Sequence, residues 1–188
     1  MMPTDSSEAH MHAVIVPGIN GSDADHWQSL WERSSAGWKR ISPASWDEPE
    51  VDDWIAALDA EVGDGKPILV THSLGCLVAA KWSFANAGRV AGMFLVAVPD
   101  PFGPNYPDDG PRFGDDVYGR IPFPTLLVTS SDDPYCTHER SQHFADTWGA
   151  TRIDIGPRGH INSSSGLGAW QEGRNLLAAF AAGLSVQS

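Results

Sequence analysis

Some segments of this chain have the pattern of apolar and polar residues typical of strands, and others have the pattern typical of helices. The two kinds of segment alternate along the sequence. Short apolar runs typical of buried strands occupy residues 12–16, 67–70, 90–98 and 125–129. A weaker pattern predicts a strand at residues 38–41, and residues 151–155 are predicted to form another, so the sheet is expected to have about six strands. Helices are predicted between the strands, at about 25–35, 51–62, 74–82, 138–148 and 167–184. In the second of these, Val51, Trp54, Ile55, Leu58 and Val62 recur at helical spacing.

This alternation predicts the fold class and the domain organisation. Strands that alternate with helices favour an α/β fold, with a mostly parallel sheet covered by helices on both faces. Residues 12–188 are expected to form a single domain without a large cap, and residues 1–11 a flexible N-terminal tail. Residues 99–124 are rich in Pro, Gly and Asp and follow a strand. Long connections of this kind are often functional, so the segment either covers a site or is a plain surface excursion.

Composition narrows the possible partners. Twelve basic residues against twenty-four acidic ones give a formal net charge of −12, which argues against binding to nucleic acid or to an anionic membrane. No apolar run is long enough to cross a bilayer, and the N-terminus lacks the apolar core of a signal peptide. Cys76 and Cys136 have no metal-ligand spacing and are expected to be reduced thiols of a cytoplasmic protein. We therefore expect no metal and no cofactor, while a protein partner stays an open question.

The most informative motif surrounds Ser73, which lies between a predicted buried strand and a predicted buried helix. A serine at such a sharp strand-to-helix turn is the nucleophile elbow of α/β-hydrolases, which needs small residues two places before and two places after the serine. Gly75 fills the second place, whereas Thr71 stands where a glycine is usual. The strand end would place the Ser73 hydroxyl at the carboxyl edge of the sheet, where open α/β folds bind ligands.

A nucleophilic serine needs a base, and the base needs an acid that orients it. The strand at 125–129 ends in a turn that carries two carboxylates, Asp132 and Asp133, and the strand at 151–155 ends in a loop that carries His160. The order serine, acid, histidine is that of α/β-hydrolases. Either aspartate can supply the acid on this evidence. Asp154 is a weaker candidate because it lies inside a strand.

The loop after the first strand is the expected source of an oxyanion hole. Such a hole consists of backbone N–H groups that are held ready for the negative charge of the transition state. One donor is expected to be the N–H of Leu74, and the other the N–H of Ile19 or Asn20. A phosphate-binding loop is the rival interpretation. The glycine and lysine spacing of such loops is missing here.

Taken together, these motifs resemble those of a known family. The Val-Pro-Gly-x-x-Gly opening, the His26-Trp27 pair, the His-Ser-Leu-Gly elbow, the Ser-x-Asp-Asp-Pro loop and the Gly-His loop occur in that order. They are similar to those of the small serine hydrolases that include retinoblastoma-binding protein nine and the YdeN-like bacterial proteins. The resemblance spans about residues 12–184. It implies a compact α/β-hydrolase with Ser73 as nucleophile, His160 as base and Asp133 as acid.

Two functional hypotheses follow. The first is a metal-free serine hydrolase that cleaves a carboxylic ester, or a thioester or amide, of a small acyl substrate through an acyl-enzyme. The second is a non-catalytic interaction module that keeps the hydrolase fold, because a fold alone does not establish an activity. All three triad candidates are present, which favours the enzyme. The motifs do not identify the acyl group or the leaving group.

Overall fold

The computed structural model describes residues 11–185, except for the side chains of residues 115, 116 and 185. Ten residues of the predicted N-terminal tail therefore lie outside the described part. Six strands form one parallel sheet in the order β2-β1-β3-β4-β5-β6, and this confirms the predicted α/β sheet. The strands are β1 Ala13–Val16, β2 Lys39–Arg40, β3 Ile68–His72, β4 Gly92–Val96, β5 Thr125–Thr129 and β6 Thr151–Asp154.

Five α-helices connect the strands. They are α1 Trp27–Ser34, α2 Val51–Val62, α3 Leu74–Phe84, α4 His138–Trp148 and α5 Gln171–Ser185. Helices α2 and α4 have the predicted bounds. The last helix begins later than predicted because Gly166, Gly168 and Trp170 all have positive φ angles, which a right-handed helix does not tolerate. The residue that caps α1 is His26, whose side chain accepts a hydrogen bond from the N–H of Gln28.

The helices lie on both faces of the sheet because the strand side chains point alternately to each face. On one face, residues such as Val14, Leu69 and Leu95 pack with the apolar sides of α2, α3 and α4. On the other face, residues such as Ile15 and Phe94 pack with α1 and α5. Both faces of the sheet are therefore covered by helices, and a functional site is expected at the carboxyl ends of the strands. No helix within residues 11–185 is long and apolar enough to cross a bilayer.

The segment at residues 99–124 is anchored beside the carboxyl edge of the sheet. Its Asp100 accepts hydrogen bonds from the guanidinium of Arg140 on α4, at 2.9 and 3.2 Å. The backbone N–H of Asp100 also donates to the carbonyl oxygen of Tyr135, at 2.8 Å. Further along, the indole of Trp148 donates to the carbonyl oxygen of Val117. The segment is thus fixed to the loop that follows β5 and to α4.

Both cysteines are free thiols within the core. Burial raises the pKa of Cys76 and of Cys136 to about 12. Neither thiol forms a thiolate near neutral pH, so neither is a candidate nucleophile.

Candidate active site

Ser73 lies at a tight turn between β3 and α3, with φ 52° and ψ −124°. A non-glycine residue in this region is strained, and such strain is found mainly at functional sites. The turn is pressed against the end of β1. A Cβ on Gly75 would lie 2.2 Å from the carbonyl oxygen of Val16, so only glycine fits there. Thr71 fits in the place where a glycine is usual. It is fully buried, and its hydroxyl is satisfied because it donates to the Cys76 sulfur at 3.1 Å.

A continuous line of hydrogen bonds joins Ser73, His160 and Asp133. The distance from Ser73 Oγ to His160 Nε2 is 2.8 Å. On the other side of the ring, His160 Nδ1 lies 2.9 and 3.0 Å from the two Asp133 carboxylate oxygens. Because Asp133 is an acceptor, the Nδ1–H donates to it, and Nε2 is free to accept the serine proton. The side chains of His160 and Asp133 are 9% and 3% exposed, so water screens this contact little.

The neighbouring aspartate has a different environment. Asp132 is on the surface, and its Oδ1 accepts hydrogen bonds from the Ser130 hydroxyl and from the N–H of Gly159. These two bonds hold the pKa of Asp132 below its usual value, the serine hydroxyl having the larger effect. Asp132 therefore ties the loop after β5 to the loop that carries His160. The third candidate, Asp154, lies at the end of β6 and pairs with Arg152.

Two further histidine rings lie behind His160. The Nε2–H of His72 donates to the backbone carbonyl oxygen of His160 at 2.9 Å, which links the elbow directly to the histidine loop. The ring of His26 packs edge-on against His72, with centroids 4.6 Å apart. Burial lowers the pKa of His72 well below its usual value and that of His26 to about 4. Both rings are thus neutral at physiological pH.

The residues predicted to supply an oxyanion hole, Leu74, Ile19 and Asn20, line the same cavity as Ser73. Leu74 is the first residue of α3, so its N–H has no partner within the helix. In the loop after β1, the N–H of Asn20 donates to the carbonyl oxygen of Trp46 at 3.0 Å, which leaves the N–H of Ile19 as the available donor. A Cβ on Gly18 would lie 2.8 Å from Ser73 Cβ, so glycine allows this loop to approach the nucleophile.

A cavity of about 370 Å³ opens above Ser73, near the lower end of the roughly 300–1,000 Å³ found for small-molecule sites. Its apolar lining residues are Ile19, Leu74, Pro99, Tyr106, Pro107 and Tyr135. Its polar lining residues, besides the triad, include Asn20, Ser22, Asp23, His26, Asn162, Ser163 and Ser164. The segment at residues 99–124 therefore contributes directly to the cavity.

Sequence reasoning missed several of these residues. Tyr106 belongs to a segment whose path no periodicity predicts, and Tyr135 packs against the His160 ring with centroids 4.5 Å apart. Asp23 accepts a hydrogen bond from the Ser163 hydroxyl, 140 positions later in the chain. No local signal reveals such a pair. Among the described residues, no group of three or more His, Cys, Asp or Glu side chains is placed to hold a metal ion.

Comparison with solved structures found close relatives of this architecture. A YdeN-like hydrolase from Pectobacterium atrosepticum is 33% identical, with a TM-score of 0.83, and the match covers 95% of this chain and 94% of that one. The ydeN gene product of B. subtilis is 18% identical, with a TM-score of 0.71, and covers 90% of this chain and 98% of its own. An esterase domain from Rhodothermus marinus is 16% identical, with a TM-score of 0.65 and coverage of 95% and 89%. The last two likenesses concern the fold alone.

A search among curated proteins found no match. The family model described as serine hydrolase matches residues 13–179, which is most of the chain and includes every strand. With the 33% identical YdeN-like hydrolase, this match bears out the resemblance inferred from the motifs. The chain belongs to the serine hydrolase family.

Proposed function

We propose that this protein hydrolyses carboxylic esters of small alcohols without a metal ion, through an acyl-enzyme on Ser73. The observation that carries the proposal is the unbroken line of hydrogen bonds from Ser73 Oγ through His160 to Asp133, with distances of 2.8, 2.9 and 3.0 Å. An ester is the substrate class that makes the smallest demand on the site, because its alkoxide is a better leaving group than an amide nitrogen. The esterase domain of Rhodothermus marinus shares the fold.

The proposed reaction has two halves. Ser73 Oγ attacks the ester carbonyl carbon while His160 Nε2 takes the hydroxyl proton, and the negative oxygen that forms accepts hydrogen bonds from the N–H groups of Leu74 and Ile19. The carbon–oxygen bond to the alcohol then breaks, and His160 gives its proton to the departing oxygen. Water attacks the acyl-enzyme by the reverse sequence and releases the acid. Asp133 keeps the Nδ1 proton of His160 in place and stabilises the imidazolium.

Metal is not needed in this scheme. A metal ion serves hydrolases mainly by making a nucleophile from water at neutral pH. Here the attacking group is a hydroxyl with its own base 2.8 Å away. Turnover of p-nitrophenyl acetate is therefore expected to be unchanged after treatment with a chelator. Loss of turnover in chelator, with recovery on adding zinc, would contradict the proposed mechanism.

The decisive experiment is labelling with a fluorophosphonate, which reacts with activated serines. Intact-mass analysis is expected to show one adduct on the wild-type protein and none on Ser73→Ala. A matched control is Ser42→Ala, since Ser42 is exposed and far from the proposed chemistry in sequence. This control is expected to be labelled once, like the wild type. Absence of an adduct on the folded wild type would favour the non-catalytic interaction module instead.

A further inference from the structure

Some polar residues that line the cavity carry hydrogen-bonding groups that the fold does not use. The side-chain amide of Asn20 has no hydrogen-bond partner among the described residues. Asn162 uses its Oδ1 to accept from the N–H of Ser164, which leaves its NH₂ group without a partner in the same set. Asn162 is half-buried, and such polar groups are normally paired with protein, water or ligand, whereas Asn20 is exposed and its amide is accessible. We call Asn20, Asp23, His26 and Asn162 the polar wall.

His26 is the strongest indication that this wall serves a ligand. Its Nδ1 accepts the N–H of Gln28 at 3.2 Å, so the neutral ring carries its proton on Nε2. The side chain lines the cavity and is only 3% exposed. Nε2 nevertheless has no hydrogen-bond partner among the described residues. Leaving a buried donor unpaired is unfavourable, and a water molecule or a substrate oxygen that reached it would relieve that cost.

The charges of the lining residues narrow the class of ligand. Among the described residues of the lining there is no Lys and no Arg, and Asp23 is the one carboxylate. The hydroxyl of Ser163 donates to Asp23 and holds the pKa of that carboxyl below its usual value, so Asp23 is ionised at neutral pH. An anionic group would find no counter-charge here. A hydroxyl group fits, because it can donate to the carboxylate and accept from an N–H group.

The position of Asn162 indicates which half of an ester faces this wall. In the proposed reaction, His160 returns its proton to the oxygen of the departing alcohol, so the alcohol must lie beside His160. Asn162 is two residues beyond His160 in the same loop, and both line the cavity. Asp23 is hydrogen-bonded to Ser163 beside Asn162, and the ring of His26 packs on His72, whose ring centroid is 5.0 Å from that of His160. The polar wall is therefore close to His160, where the alcohol must lie.

We propose that the polar wall of Asn20, Asp23, His26 and Asn162 is a subsite for a small hydroxylated alcohol, so that this protein prefers esters of polyhydroxy alcohols to esters of simple alkyl alcohols. This inference rests on the esterase function proposed above and adds the class of leaving group. The size of the cavity agrees with it, since about 370 Å³ accommodates a short acyl chain and a three-carbon diol.

The test compares two esters of the same shape. 2,3-Dihydroxypropyl butyrate and 2-methylbutyl butyrate share the acyl group and the number of heavy atoms, and differ in two hydroxyl groups replaced by methyl groups. Release of butyric acid is measured for each, with p-nitrophenyl butyrate as a reference substrate. We expect kcat/KM to be about tenfold higher for the diol ester, which corresponds to one or two additional hydrogen bonds. A ratio of one or below would overturn the subsite.

Variants then connect the preference to the wall. His26→Phe keeps a flat ring without the N–H donor and is expected to reduce the ratio of the two kcat/KM values to about one. Asn20→Gly removes the amide at a residue with φ 68°, where glycine is unstrained, and is expected to reduce the ratio about threefold. If His26→Phe does not fold, Asn20→Gly still tests whether the polar wall causes the preference for the diol ester. His143→Phe changes an exposed histidine on α4 and should keep the wild-type ratio.

The outcomes separate the two proposals. If fluorophosphonate labels Ser73 and p-nitrophenyl butyrate is hydrolysed but the two matched esters react equally, only the subsite is wrong. A preference for the diol ester that survives in both wall variants also overturns the assignment of these residues. If no ester is hydrolysed and Ser73 is not labelled, the esterase proposal fails and the subsite fails with it.

Discussion

Adjacent aspartates provide a sharp test of the proposed chemistry, since Asp132→Asn and Asp133→Asn make the same chemical change one residue apart. An asparagine at 133 would offer its NH₂ group to His160 Nδ1 and favour the tautomer that carries the proton on Nε2. That nitrogen could no longer accept the proton of Ser73 Oγ, which lies 2.8 Å away. We therefore expect Asp133→Asn to lower kcat for p-nitrophenyl acetate by about 10⁴, or about 5 kcal/mol of activation free energy.

Asp132→Asn should behave differently because an asparagine oxygen can accept the same two hydrogen bonds, from Ser130 and from Gly159. We expect its kcat to stay within about threefold of the wild type, a change of under about 1 kcal/mol. Urea unfolding of both variants shows whether either has lost its fold. If Asp132→Asn abolishes ester hydrolysis while Asp133→Asn leaves it intact, the acid has been assigned wrongly, and the orienting role of Asp133 must be abandoned.

Two further predictions concern stability. Gly75→Ala would place a Cβ 2.2 Å from the carbonyl oxygen of Val16, so we expect the free energy of unfolding to fall by about 3 kcal/mol. The control Gly183→Ala, at an open position in α5, should be neutral or slightly stabilising. Equal free energies of unfolding for the two variants in urea titrations would refute this account of the elbow. The pKa of His26 is about 4 in the folded protein and near its ordinary 6.5 in the unfolded chain. Between pH 6.5 and pH 4 the unfolded chain therefore binds more protons than the folded protein. The contribution of His26 to the free energy of unfolding is fully present above about pH 6.5 and is lost as the pH falls towards 4. This group alone is expected to cost about 2 kcal/mol between pH 7 and pH 5, a loss that His26→Phe should remove; an unchanged pH slope in that variant would show that His26 is not the cause.

Local pattern alone predicted the order serine, acid, histidine for the proposed triad, whereas the choice of Asp133 over Asp132 came from the family resemblance. Ser73, Asp133 and His160 each follow a strand that is recognisable as a short apolar run, and parallel strands bring their carboxyl ends to one edge of the sheet. The six parallel strands and the bounds of α2 and α4 follow from the same periodicities. These features depend on short stretches of sequence, so they can be predicted without knowing the rest of the structure.

The shape and polarity of the cavity depend on tertiary structure. The contact of Asp23 with Ser163 spans 140 residues, and the irregular segment that supplies Tyr106 has no period from which its path follows. The sequence left the N–H groups of Ile19 and Asn20 as alternative oxyanion donors, and in the fold the N–H of Asn20 is bonded to the carbonyl oxygen of Trp46, which is why we propose Ile19. Pattern along the chain thus predicted the candidate catalytic residues and their order. Only the packing of distant loops decided which groups surround the substrate, because such contacts depend on three-dimensional proximity and not on spacing along the chain.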